Sequence, residues 1–222
     1  MISIKNLTYR YDKNFNLLNN VNLDINEGSM LALVGENNYG AKNLFLKLLT
    51  KLTSLQSGNI FFNYQSIKSI DFTKDYSLGY LPINIPFFKN KTVYQNLEYI
   101  YNVRDVFDGY KEKILTALKD FNIENLVNAK IKKLSNIDKL NVALCRLYLR
   151  NLDCLLIEDF FDNDYIKFKN NDEILEILDK IKLIINSNKN IILLINTNNE
   201  FVISNLNLGK LFYDKGQITL NK

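Results

Sequence analysis

Five consecutive apolar residues, Met30-Leu31-Ala32-Leu33-Val34, run into Gly35, and after a short polar loop apolar residues recur at helical spacing over 44–52. A strand apolar on both faces belongs in the middle of a sheet covered on both sides. Strand, glycine-containing loop and helix, in that order, is the setting that a phosphate-binding loop requires. Two more apolar runs of the same size, 154–157 and 191–195, flank a helical pattern over 174–185 and extend the same sheet. The chain therefore reads as α/β.

Alternating apolar and polar residues over 2–7 and 18–25 predict antiparallel strands joined by a polar turn. Thr92-Val93-Tyr94-Gln95 has the form of a capping box opening a helix to about residue 103, and 111–121 carries a second helical pattern. Ser135 with Asp138 three residues later opens a third, running to about 149. Residues 210–218 read as two short strands around a tight turn. The expected organisation is a single domain over 1–222: a mixed-sheet core from 1–83 and 150–222, with N-terminal antiparallel strands and a helical subdomain, 84–149, inserted.

Composition narrows the chemistry. The chain contains no histidine, which removes histidine nucleophile activation, general-base catalysis and metal ligation, and leaves carboxylates and lysines. The net charge is +4 with lysines scattered among acids, so a nucleic-acid partner is not expected. The apolar runs are strand-sized, well short of the roughly 20 residues that cross a bilayer, so any membrane role needs a partner chain. The N-terminus lacks the pattern of a secretory signal, which predicts a cytoplasmic protein. Cys145 and Cys154 lack metal-ligand spacing and are expected to be buried thiols.

Ala32-Leu33-Val34-Gly35-Glu36-Asn37, Ser57-Gly58, Gly79-Tyr80-Leu81-Pro82, Leu134-Ser135, Val142-Ala143-Leu144 and Leu155-Leu156-Ile157-Glu158-Asp159 follow one another at the spacing of ATP-binding cassette domains. On these motifs the whole chain resembles that family, a P-loop NTPase-like α/β cassette. The resemblance implies ATP and Mg²⁺ as cofactors, and a transmembrane permease and a second cassette as partners, at the inner face of the cell membrane.

The resemblance also locates departures. The family's phosphate loop is G-x-x-x-x-G-K-[ST], whereas residues 35–43 read GENNYGAKN. Aligned without a gap, Gly40 keeps the second glycine and Ala41 stands at the lysine position. With one inserted residue, Lys42 becomes the phosphate lysine, Ala41 replaces glycine and Asn43 replaces the Mg²⁺-binding hydroxyl. The run Leu46-Lys47-Leu48-Leu49-Thr50 favours the insertion. Gly35, Asn38, Gly40, Ala41, Lys42, Asn43 and Leu44 are thus the candidate phosphate residues, unless the loop is only a connection. Tyr11 matches the family's adenine-stacking aromatic.

Ile83 stands where the family has a Mg²⁺-sensing glutamine. Ser135-Asn136-Ile137-Asp138 stands in the signature that meets the partner's γ-phosphate. Glu158 and Asp159 replace Asp, the Mg²⁺ ligand, and Glu, the general base, with their lengths exchanged. Asn196 and Thr197 stand where a histidine contacts the γ-phosphate. Glu158, Asp159 and Asn196 are the candidate catalytic residues, and Asn43 and Glu158 the candidate metal ligands. The expected function is a permease-docking subunit, in an export or self-protection system, with Mg-ATP affinity poorer than roughly 1 mM and little hydrolysis. The alternative is a nucleotide-free scaffold on the cassette fold.

Overall fold

The structure is a computed structural model that describes residues 1–36, 40–103, 108–162 and 166–220. Two sheets form the core. β1 (Ile2–Arg10), β2 (Asn16–Ile25), β4 (Ser57–Phe62) and β5 (Gln65–Ser66) make an antiparallel sheet in the order β2-β1-β4-β5. β3 (Met30–Val34), β6 (Leu78–Leu81), β7 (Cys154–Ile157), β8 (Ile192–Asn196), β9 (Gly209–Asp214) and β10 (Gln217–Leu220) make a sheet of order β10-β9-β3-β8-β7-β6. All its pairings are parallel except the β9–β10 hairpin.

The apolar strands are buried on both sides, as their uninterrupted runs require. Leu31, Leu33, Leu156, Cys154, Ile192 and Leu194 face one core, shared with the antiparallel sheet and α1 (Ala41–Leu49). Ala32, Val34, Leu155, Ile157, Leu193 and Ile195 face the other. There α2 (Val93–Val103), α3 (Tyr110–Asp120), α4 (Asn136–Tyr148), α5 (Asn171–Asn186) and α6 (Glu200–Asn205) cover the sheet or one another. The helices α2, α3 and α4 fall within the stretch read as an inserted subdomain. Both cysteines are buried, and burial, with a lesser contribution from Asp120, pushes the Cys145 thiol up to about 12.

Two element boundaries differ from expectation in ways that matter for the site. α1 starts at Ala41, three residues before the apolar pattern suggested, because Gly40 takes a left-handed conformation (φ 72°) immediately before it. The left-handed residue is therefore Gly40, and the positive φ that would have strained Ala41 is not required of it. β8 ends one residue later than its apolar run, which places Asn196 inside the sheet and Thr197 just beyond it. No described helix is long and apolar enough to cross a membrane.

Candidate functional site

Because β3, β8, β7 and β6 run parallel, their carboxyl ends open on the same edge of the sheet, where ligands of open α/β sheets bind. Gly35, Asn196, Glu158 and Pro82 each lie at or just past one of these ends. That is how Gly35 and Asn198, 163 positions apart, become neighbours.

Lys42, in the first turn of α1, is fully buried, with Nζ 3.4 Å from Asn198 Oδ1. Asn198 also clasps Gly35: its Oδ1 accepts from the Gly35 N–H at 2.8 Å and its Nδ2 donates to the Gly35 carbonyl at 3.2 Å. Gly35 has φ 114°, and a Cβ there would lie 2.2 Å from the Tyr213 carbonyl oxygen, so only glycine fits this neck. Burial lowers the Lys42 pKa, opposed by the charges of Asp159 and Asp162. Ala41 and Leu44, by contrast, pack into the core beneath the sheet.

Asp159 lies beside Asp162, whose N–H donates to Asp159 Oδ1 at 3.1 Å. Burial, and then the charge of Asp162, push the Asp159 carboxyl up to about 6. A carboxyl whose folded pKa exceeds its ordinary 3.8 binds protons better when folded, so its contribution to stability falls as pH rises from about 4 to about 6. Asp159→Asn removes that fall. The variant should be more stable than the parent above pH 6, with the difference shrinking towards pH 4; thermal melts that differ equally at pH 4 and 7.5 contradict this.

The donors expected to hold Mg²⁺ do not fit it. Glu158 is buried, and both of its oxygens face β6: the Tyr80 hydroxyl donates to Oε1 and the Ile83 N–H to Oε2 at 3.0 Å. The Lys47 ammonium lies 3.7 Å from the same Oε1, where a divalent cation would meet a like charge. Asn43 faces the other way, its Oδ1 accepting from Asn196 Nδ2 on β8. Among the described residues Asn196 Oδ1 is buried without a hydrogen-bond partner, but one neutral amide oxygen does not hold an ion that binds through carboxylates and phosphates. Ile83 adds no side-chain oxygen. Among the described residues no group of three or more acidic, cysteine or histidine side chains is placed to bind a metal.

The remaining candidates are Ser135 and Tyr11. Ser135 caps α4 in a closed box, in which its Oγ accepts from the Asp138 N–H at 3.1 Å and donates to Asp138 Oδ2 at 2.7 Å. The hydroxyl that the signature would turn to a phosphate is thus engaged with an acid, while the Ile137 side chain packs against the core. Tyr11 is exposed, in edge contact with Phe15 at 6.5 Å. Phe15 and Tyr213, and not Tyr11, are the aromatics that line a cavity of about 540 Å³ beside the loop neck, with Glu36 and Lys215. Asn38 lies outside the described residues. Sequence reasoning missed Phe15, Asp162 and Asn198, none of which belongs to a motif.

A family model described as ABC transporter matches residues 18–161. Over 175 residues the chain is 31% identical to a probable ABC transporter ATP-binding protein, p29, of Mesomycoplasma hyorhinis, covering 71% of this chain and 68% of that one. Over 163 residues it is 30% identical to the Fe(3+) ions import ATP-binding protein FbpC of Fusobacterium nucleatum subsp. nucleatum, covering 73% of this chain and 43% of the relative. The match thus spans less than half the length of the iron-import protein. A solved structure of an ATP-binding subunit of an ABC transporter superposes with a TM-score of 0.80 at 18% identity, covering 98% of this chain and 88% of the other, a likeness of fold.

Proposed function

Since this chain belongs to the ABC transporter family and has the cassette fold, we propose that it is a transporter's ATP-binding subunit whose main activity is association, with weak nucleotide binding and slight hydrolysis. Its partners are a membrane permease, on which it docks, and a second cassette. The observation that carries this reading is the engagement of the site's own groups with the protein. Lys42 is turned to Asn198, Glu158 to Tyr80 and Ile83, Asn43 to Asn196, and Ser135 to Asp138. Lys42 and Gly35 would still take the nucleotide phosphates when the nucleotide binds, with Phe15 beside its base. The bound nucleotide would bring its own charge, and nothing in the donor set adds Mg²⁺ to it.

The iron-import relative supports an importer as readily as the export or self-protection system expected from sequence, so the proposal concerns the subunit's role and not its cargo. The full burial of Lys42 favours a second reading, a scaffold that binds no nucleotide at all.

The test is association. A tagged chain produced in its own cells should sediment with membranes and co-purify in detergent with a multi-spanning membrane protein. Recovery of the chain in the supernatant alone contradicts the proposal.

A further inference from the structure

The surroundings of Lys42 come from two distant segments that close on one another. Asn198 Oδ1 stands between Lys42 Nζ and the Gly35 N–H, at 3.4 and 2.8 Å. The segment carrying Asn198 is fixed in turn by Asp162, whose Oδ2 accepts from the Thr197 hydroxyl at 2.7 Å and from the Asn198 N–H at 2.8 Å. Thr197 is fully buried while Asp162 and Asn198 are exposed, so the tie runs from the core out to the surface. The charges of Asp159 and Asp162 both act on the Lys42 ammonium, favouring its charged form. A phosphate at this loop would need an oxygen against a lysine, an oxygen against a backbone N–H, and compensated negative charge. Asn198 supplies both oxygen contacts, and the two aspartates supply the charge.

We propose that Asn198 and Asp162 form an internal latch that takes the phosphate's place at Lys42 and Gly35 and competes with nucleotide for them. The inference rests on the reading of Lys42 as the phosphate lysine. Binding would require Asn198 to release the ammonium and a polyanion to approach two carboxylates, so each latch residue weakens affinity. The same latch ties the carboxyl ends of β3 and β8 to the turn after β7, holding the sheet edge in shape without a ligand. That suits a subunit kept for docking.

The variants separate the latch from a merely structural tie. Asp162→Asn removes the charge but keeps an acceptor for Thr197 and Asn198; Asn198→Ala removes the amide from Lys42. Affinity of the full chain for trinitrophenyl-ATP is read by fluorescence in EDTA, with thermal melts of each variant. Each variant should bind about tenfold more tightly than the parent, a gain of about 1.4 kcal/mol, and adding Lys42→Ala should abolish the gain. If Asn198→Ala does not fold, Asp162→Asn alone decides. A parent that binds while the folded variants bind no better, or worse, overturns the latch but leaves the ATP-binding reading standing. If neither parent nor variants bind at several millimolar, nucleotide binding itself is refuted, and the latch with it.

Discussion

Glu158→Ala should destabilise the chain by about 3 kcal/mol while leaving its affinity for nucleotide within a factor of two. The residue is 4% exposed, and its side chain joins two strands' ends, receiving the Tyr80 hydroxyl of β6 and the Ile83 N–H just past it. Removing the carboxylate leaves both donors without their charged acceptor in a place water hardly reaches, and a buried donor deprived of a charged partner costs more than an ordinary hydrogen bond contributes. The Lys47 pair adds little, because the lysine is 45% exposed and such pairs are screened. Glu158→Gln keeps one oxygen for the two donors and should cost only about 1 kcal/mol. Urea unfolding measures both. A metal-ligand role for Glu158 gives the opposite pattern, in which stability hardly changes and nucleotide binding collapses.

The sheet was legible because its signal is local. Residues 30–34 and 154–157 are apolar at every position, and only strands covered on both faces ask for that. Ser135 and Asp138 were legible for a similar reason, since a capping box is set three residues apart on one helix turn. Asn198 and Asp162 were not. Their partners lie 163 and 36 positions away, and an Asn in a chain rich in Asn carries no mark of the bond it will make. Glu158 shows the limit of motif reasoning. Its place after β7 was read correctly from Leu155-Leu156-Ile157, yet the direction of its carboxylate depends on Tyr80, a residue on the neighbouring strand. The strand β5 and the short helix α6 went unread, because a two-residue strand and a six-residue helix offer too few positions for a period to appear.

The purified chain should release phosphate from ATP more slowly than roughly 0.01 s⁻¹, about a thousandfold below an ordinary enzyme turnover of about 10 s⁻¹. Cassette sites, as the family resemblance implies, are shared between two subunits, so in a homodimer every site would combine both halves of this chain. On one half the general-base position holds Asp159, shorter than glutamate by a methylene, pushed up to about 6 and hydrogen-bonded to Asp162. Losing a positioned base costs about 10² to 10⁴ in rate. On the other half the Ser135 hydroxyl is engaged with Asp138, and losing one charge-stabilising donor costs about 10² to 10³. These factors do not simply multiply, but the smaller of them together already bring turnover to the stated level. A competent second cassette would repair only part of this, since one shared site would keep Asp159 of this chain and the other its Ser135, engaged with Asp138. The central claim, a cassette retained for its shape and its partners, is tested most directly by phosphate release from the full chain at several millimolar ATP with and without Mg²⁺, taking the Glu158→Ala, Asp159→Ala double variant as background. The account predicts a rate indistinguishable from that background in both conditions; turnover near 1 s⁻¹ that needs Mg²⁺ and disappears in the double variant would contradict it.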